Sequence, residues 1–140
     1  MNSTKINEEV VHIALLLFRV FLGVVMITHG YPKLEKLIAG GNIEFLDFLG
    51  LGPTISLVLV VIAEFVCSIF LILGLFTRWM LIPLIIAMLV AVFGVHIGEA
   101  FNKMELGLHY LMGYIILMIL GPGRFSIDGL INKRKERYAW

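Results

Sequence analysis

The sequence predicts an all-α integral membrane protein, a four-helix transmembrane bundle formed by one domain over residues 1–140. Three observations carry this. Hydrophobic residues make up 60% of the chain and charged residues 15%, with a mean hydropathy of +0.99; soluble domains sit near 45–50% and about 25%. Four apolar runs approach the roughly 20 residues that a helix needs to cross a bilayer. Two of those runs hold an ionisable residue near their middle, Arg19 and Glu64, which a helix surrounded by lipid would not tolerate. In water, a chain of this length could not hide so much apolar surface, because small domains bury a modest fraction of what they expose.

The first span is expected over residues 10–28 and the second over 55–75. The third is expected over 80–97 and the fourth over 106–120, the last being short enough to start earlier or to tilt. The first run contains Arg19, follows Glu8 and Glu9, and is not succeeded by a small-residue cleavage site, so it reads as a retained helix rather than a signal peptide. Only Phe76-Thr77-Arg78-Trp79 separates the second and third spans, a tight hairpin. Residues 29–54 read as an interfacial loop. Within it two amphipathic pieces, PKLEKLIA and NIEFLDFL, are expected to lie at the interface or dip back onto the bundle. A basic tail, 124–140, follows the last span.

Lys and Arg in the flanks set orientation. Lys5, Arg78, Arg124, Lys133, Arg134, Lys135 and Arg137 share one side, against Lys33, Lys36 and Lys103 on the other. Both termini are therefore expected in the cytoplasm, with the 29–54 loop facing outward. A net charge of +1 gives no case for nucleic acid as a partner. The single cysteine, Cys67, excludes a disulfide within the chain and reads as a packed apolar residue.

Arg19 and Glu64 each lie mid-span on antiparallel helices, which predicts that they pair inside the bundle through a guanidinium–carboxylate bond. The pair reads equally as a lock on helix register and as functional chemistry. Gly23, Gly30, Ser68, Ala87, Ala91 and Gly113 recur at spacings that let helices approach closely. Met26, Phe70, Met88, Phe93, Tyr110 and Tyr114 read as packing and lipid contacts.

His29, His96 and His109 fall near the outer membrane boundary, with Lys33 one turn beyond His29. Together with Glu64 they are the candidate ligand-binding residues: imidazoles titrate near neutral pH and can relay protons or donate to a quinone carbonyl. No HxxxH pair supports a metal site, so none is expected. His12, at the start of the first span, reads as incidental. Gly121-Pro122-Gly123 ends the last helix. Beyond it Arg124 is expected at the interface, on a headgroup phosphate, on Asp128, or on the hairpin of Thr77 and Arg78. Ser126 or Asp128 would cap a short helix through DGLINKRKER. Arg78, Arg124, Ser126 and Asp128 are thus read as interfacial anchors.

In this order the landmarks Arg19-x-x-x-Gly23, His29-Gly30-x-x-Lys33-Leu34, Glu64, Leu73-Gly74-Leu75-x-Thr77-Arg78, His96 and Gly121-Pro122-Gly123-Arg124-x-Ser126-x-Asp128 resemble the DoxX family, over most of the chain. The resemblance implies four transmembrane helices in a bacterial inner membrane. It also implies a link to quinone-reducing sulfur oxidation or to membrane oxidoreductase complexes. On that basis the chain is expected to be a small accessory subunit contacting quinone or lipid. It would have a membrane or periplasmic redox protein as partner and no intrinsic cofactor beyond a bound quinone. The resemblance leaves open whether the chain is catalytic, and favours an accessory role over a self-sufficient enzyme. Two alternatives stand beside it, a lipid or small-solute binding or transport protein and a purely structural subunit. Homo-oligomerisation is compatible with all three.

Overall fold

The computed structural model describes residues 5–95 and 98–138, without the side chains of Val95 and Lys103. It is an all-α membrane helical bundle. α1 runs Glu8–Ala39, capped at its start by Asn7, whose side chain accepts from the Glu9 N–H. α2 occupies Pro53–Leu73: α-helix over Pro53–Val61, one π-helical stretch over Ile62–Val66, and α-helix again over Cys67–Leu73. α3 is α-helical over Thr77–Leu89 and continues as a second π-helical stretch, Val90–Val95. α4 spans Phe101–Leu120 and α5 spans Ile127–Tyr138. Three of these helices, α1, α2 and α3, are long and apolar enough to cross a membrane; in α4 the apolar part, Met104–Leu120, is shorter.

The residues 29–39 are helix, not loop, which corrects the expected 29–54 boundary. Pro32 lies inside α1 and lacks the N–H that would bond to Thr28. Membrane helices tolerate such a gap where neighbouring helices hold the segment. Here Gly30 packs against the backbone of Glu64 and Lys33 bonds to its carboxylate. PKLEKLIA is therefore the last part of α1. NIEFLDFL is irregular, because side chains compete for its backbone: the Phe48 N–H donates to Ser56 Oγ and the Gly52 N–H to Asp47 Oδ1, both at 2.8 Å. Phe45, Leu46 and Phe48 fold back onto the bundle, one of the two placements expected for this piece.

Close helix contacts fix an antiparallel register between α1 and α2. A Cβ built on Gly23 would stand 3.1 Å from the Ser68 carbonyl oxygen and 2.5 Å from Ile72 Cγ1. On Gly30 it would stand 3.1 Å from both the Glu64 carbonyl carbon and the Phe65 nitrogen. Gly113 of α4 meets Leu22 of α1 in the same manner, at 2.9 Å. Leu22, Met26, Cys67, Leu71, Leu81, Leu84, Tyr114 and Leu117 fill the core between the helices. Leu17, Phe21, Ile69, Ile82, Phe93 and Ile119 are exposed on the outside, an apolar surface suited to lipid.

The register sets a prediction. Replacing Gly30 by Leu forces side-chain atoms into the backbone of α2 and should destabilise the bundle by about 1–3 kcal/mol, the range for overpacking. Reversible unfolding in mixed micelles measures it; an unchanged midpoint would contradict the close approach.

Candidate functional site

Glu64 lies within the π-helical stretch of α2, where the widened turn replaces regular hydrogen bonding and often marks a functional position. Its side chain is 5% exposed. Lys33 of α1 donates to both carboxylate oxygens, at 2.7 Å to Oε1 and 2.6 Å to Oε2, and is itself 33% exposed. A buried carboxylate needs such a partner, since an isolated ion in apolar surroundings would give up its charge.

The pair stands between two cavities. The larger, about 420 Å³, is walled by apolar groups including Phe45, Phe48, Val60, Pro83, Ile86 and Val90. The smaller, about 170 Å³, is lined by Met26, His29, Met88, Val92, Gly107 and Tyr110, among others. Lys33, Glu64 and Ala91 face both. His29 meets Tyr110 edge-on, with ring centroids 5.8 Å apart, and Tyr110 stacks on Tyr114 at 6.0 Å. Both tyrosine hydroxyls are buried, and among the described residues neither has a hydrogen-bond partner.

The expected Arg19–Glu64 pair does not form. Arg19 is buried, but its guanidinium donates to backbone carbonyls: to Pro122 at 2.6 Å, Phe125 at 2.9 Å and Ile72 at 3.4 Å. Depth explains the correction. Gly30, not Arg19, lies against Glu64, and the two α1 positions are about 16 Å apart along the helix axis at about 1.5 Å per residue. Because α1 extends to Ala39, Arg19 belongs to its N-terminal half rather than its middle. The carbonyls it meets come from the end of α2 and the turn after α4, where helix termini leave acceptors free.

Of the expected ligand residues, His29, Lys33 and Glu64 come together. His109 does not line either cavity; it is exposed and its Nδ1 is hydrogen-bonded to the Glu105 carbonyl at 2.8 Å. His96 lies outside the described residues. Tyr110, read from the sequence as packing, is the lining residue that reading missed. Its position one residue after His109 turns it to a different face of α4, a difference helical periodicity could have signalled.

The anchor residues form a second polar constellation, at the other end of α1. Asp128 accepts from the Phe76 and Thr77 N–H groups at 2.9 and 2.8 Å, capping α3 from a distance, and its own N–H donates to the Gly74 carbonyl. Thus Asp128, rather than Arg124, reaches the hairpin. Ser126 caps α5, its Oγ accepting from the Gly129 N–H at 2.9 Å. Gly74, with φ +68°, ends α2 directly beside the Arg19 guanidinium, where a Cβ would collide with it and with Ser126. Arg78 and Arg124 expose their side chains. The Arg124 N–H donates to His12 Nδ1 at 3.2 Å, so His12 is part of this junction rather than incidental. Among the described residues no group of three or more His, Cys, Asp and Glu gathers that could hold a metal ion.

The DoxX family model matches residues 14–97, a stretch that includes Arg19, His29, Lys33 and Glu64. Inner membrane protein YqjF of Escherichia coli (strain K12) is 28% identical over 126 residues, covering 87% of this chain and 95% of YqjF. No solved structure matches the chain.

Double-mutant cycles separate the two constellations. Lys33→Met and Glu64→Gln should couple by about 0.5–3 kcal/mol, whereas Arg19→Met and Glu64→Gln should add within about 0.5 kcal/mol. Arg19→Met alone should cost about 3 kcal/mol, through acceptors left unpaired. Coupling between positions 19 and 64 in unfolding measurements would contradict the geometry.

Proposed function

The chain belongs to the DoxX family, and from that membership we propose that it is an accessory subunit of a membrane oxidoreductase system. On this reading its larger cavity holds a ligand with an apolar body and a hydrogen-bonding head, of the quinone class. The supporting observation is the join of the apolar cavity to the Lys33–Glu64 pair. A volume of about 420 Å³ falls in the range of about 300–1,000 Å³ typical of small-molecule sites. A ring carbonyl can accept from Lys33 Nζ, and the reduced hydroxyl can donate to Glu64, so the pair suits both oxidation states of such a head. The chain's own part is to bind and orient; electrons would come from a membrane or periplasmic redox partner.

The same reading takes α4 as a fourth span, since the apolar stretch Met104–Leu120 sits at the short end of the range of about 17–25 residues. On this reading both termini face the cytoplasm, which the cation asymmetry supports. The name of YqjF supports an inner-membrane location.

A lipid chain would fill the same cavity without using the ion pair, which gives the test its second arm. With the full chain in lipid nanodiscs, a short-chain ubiquinone analogue should bind. Glu64→Gln should weaken binding about tenfold, in keeping with about 1.5 kcal/mol for a hydrogen bond to a charged group. Ala87→Phe, which fills the cavity, should abolish binding. Equal binding by wild type and Glu64→Gln would favour an apolar-tail site, and no binding by wild type would overturn the quinone reading.

A further inference from the structure

The smaller cavity differs from the larger one in what it asks of its contents. In the larger cavity the polar lining is Lys33, Ser56 and Glu64, and Ser56 Oγ is already engaged, donating to the Gly52 carbonyl and accepting from the Phe48 N–H. The smaller cavity presents Glu64, Lys33 and the exposed His29, with Tyr110 in its wall. Lys33 is 33% exposed, so this polar side of the pair is the one that meets the outside. A water needs two to four polar partners, and a 170 Å³ space lined by Glu64, Lys33 and His29 accommodates several.

We infer that the smaller cavity is a hydrated vestibule through which Glu64 exchanges protons with the aqueous side, and that the Lys33–Glu64 pair is the wall between this wet space and the dry cavity. The inference deepens the proposed reading, resting on it only for what the proton serves; the vestibule stands on its own geometry. Among the described residues, the groups around Glu64 from the packed helices are Lys33 and His29 on α1 and Tyr110 on α4, with Tyr114 stacked behind it. The described residues that α3 contributes to the two cavities, Pro83, Ile86, Ala87, Met88, Val90, Ala91 and Val92, are apolar. While Lys33 donates to both oxygens, the pair is closed. Lys33 is the more exposed partner, so it is the group that can part toward water. Glu64 then takes a proton from hydronium in the vestibule, leaving water behind, and becomes a neutral carboxyl facing the dry cavity, and Lys33 keeps its own proton.

The second π-helical stretch supplies a matched pair of reporters. Val92 lines the smaller cavity and Val90 the larger. In proteoliposomes carrying the full chain with Cys67→Ser, a water-soluble cationic methanethiosulfonate should modify Val92→Cys about tenfold faster than Val90→Cys, because the reacting thiolate forms where water reaches. If Val92→Cys fails to fold, Met88→Cys reports on the same wall. The difference between infrared spectra of the wild type and Glu64→Gln should show a protonated-carboxyl band that grows as pH falls. Equal rates, or no reaction at the vestibule position, would overturn the hydrated vestibule. Absence of the band at every pH would overturn proton exchange at Glu64. Neither readout needs a ligand, so loss of quinone binding leaves both intact, and failure of the ligand reading is distinguishable from failure of this one.

Discussion

α1 brings two cations into an apolar bundle, and its antiparallel register on α2 decides what each can reach. At the level of Gly30 the neighbour is Glu64, and Lys33 closes an ion pair on its carboxylate. At the level of Arg19 the neighbours are carbonyls of Ile72, Pro122 and Phe125. Both solutions answer the same constraint, since a buried charge is tolerable only with hydrogen-bonding partners in place. The glycines make that register possible. Without the close approaches at Gly23 and Gly30 the helices would stand further apart and neither cation would reach its partners.

The two ends of α1 consequently do different work. The Arg19 end is spent on backbone: two guanidinium nitrogens, the Asp128 carboxylate and Ser126 Oγ bind backbone groups that helix termini would otherwise leave unpaired. It ties the turn after α4 to the α2–α3 hairpin. The Lys33 end is open, with cavities on both sides of the pair and two π-helical stretches beside it. Polar groups spent on backbone suit structure, while a polar pair beside open volume suits binding.

Much of this was legible in the chain. The apolar runs announced the helices, Gly121-Pro122-Gly123 announced the end of α4, and Glu64 stood out because lipid does not tolerate a carboxylate. The pairing of Glu64 was not legible. Equating mid-run positions with equal depth assumed that α1 stopped near Thr28, where the expected first span ended. The continuation to Ala39 shifted Arg19 away from Glu64 and brought Lys33 to it. Nor did the pattern announce Arg19's partners, because backbone carbonyls leave no residue-type signature.

By itself the sequence determined that this is an all-α membrane protein of the DoxX type, with charges that must face inward. Hydropathy and run length suffice for the membrane helices and the inward charges, because lipid as solvent imposes one rule on every residue in contact with it; the DoxX type rests on the resemblance of its motifs. The tertiary structure alone decided that Lys33 is the partner of Glu64, that Arg19 is a clamp on carbonyls, and that Tyr110 joins His29 beside the pair. Those outcomes turn on helix length and on contacts of a few tenths of an ångström at glycines, quantities that depend on all the helices at once.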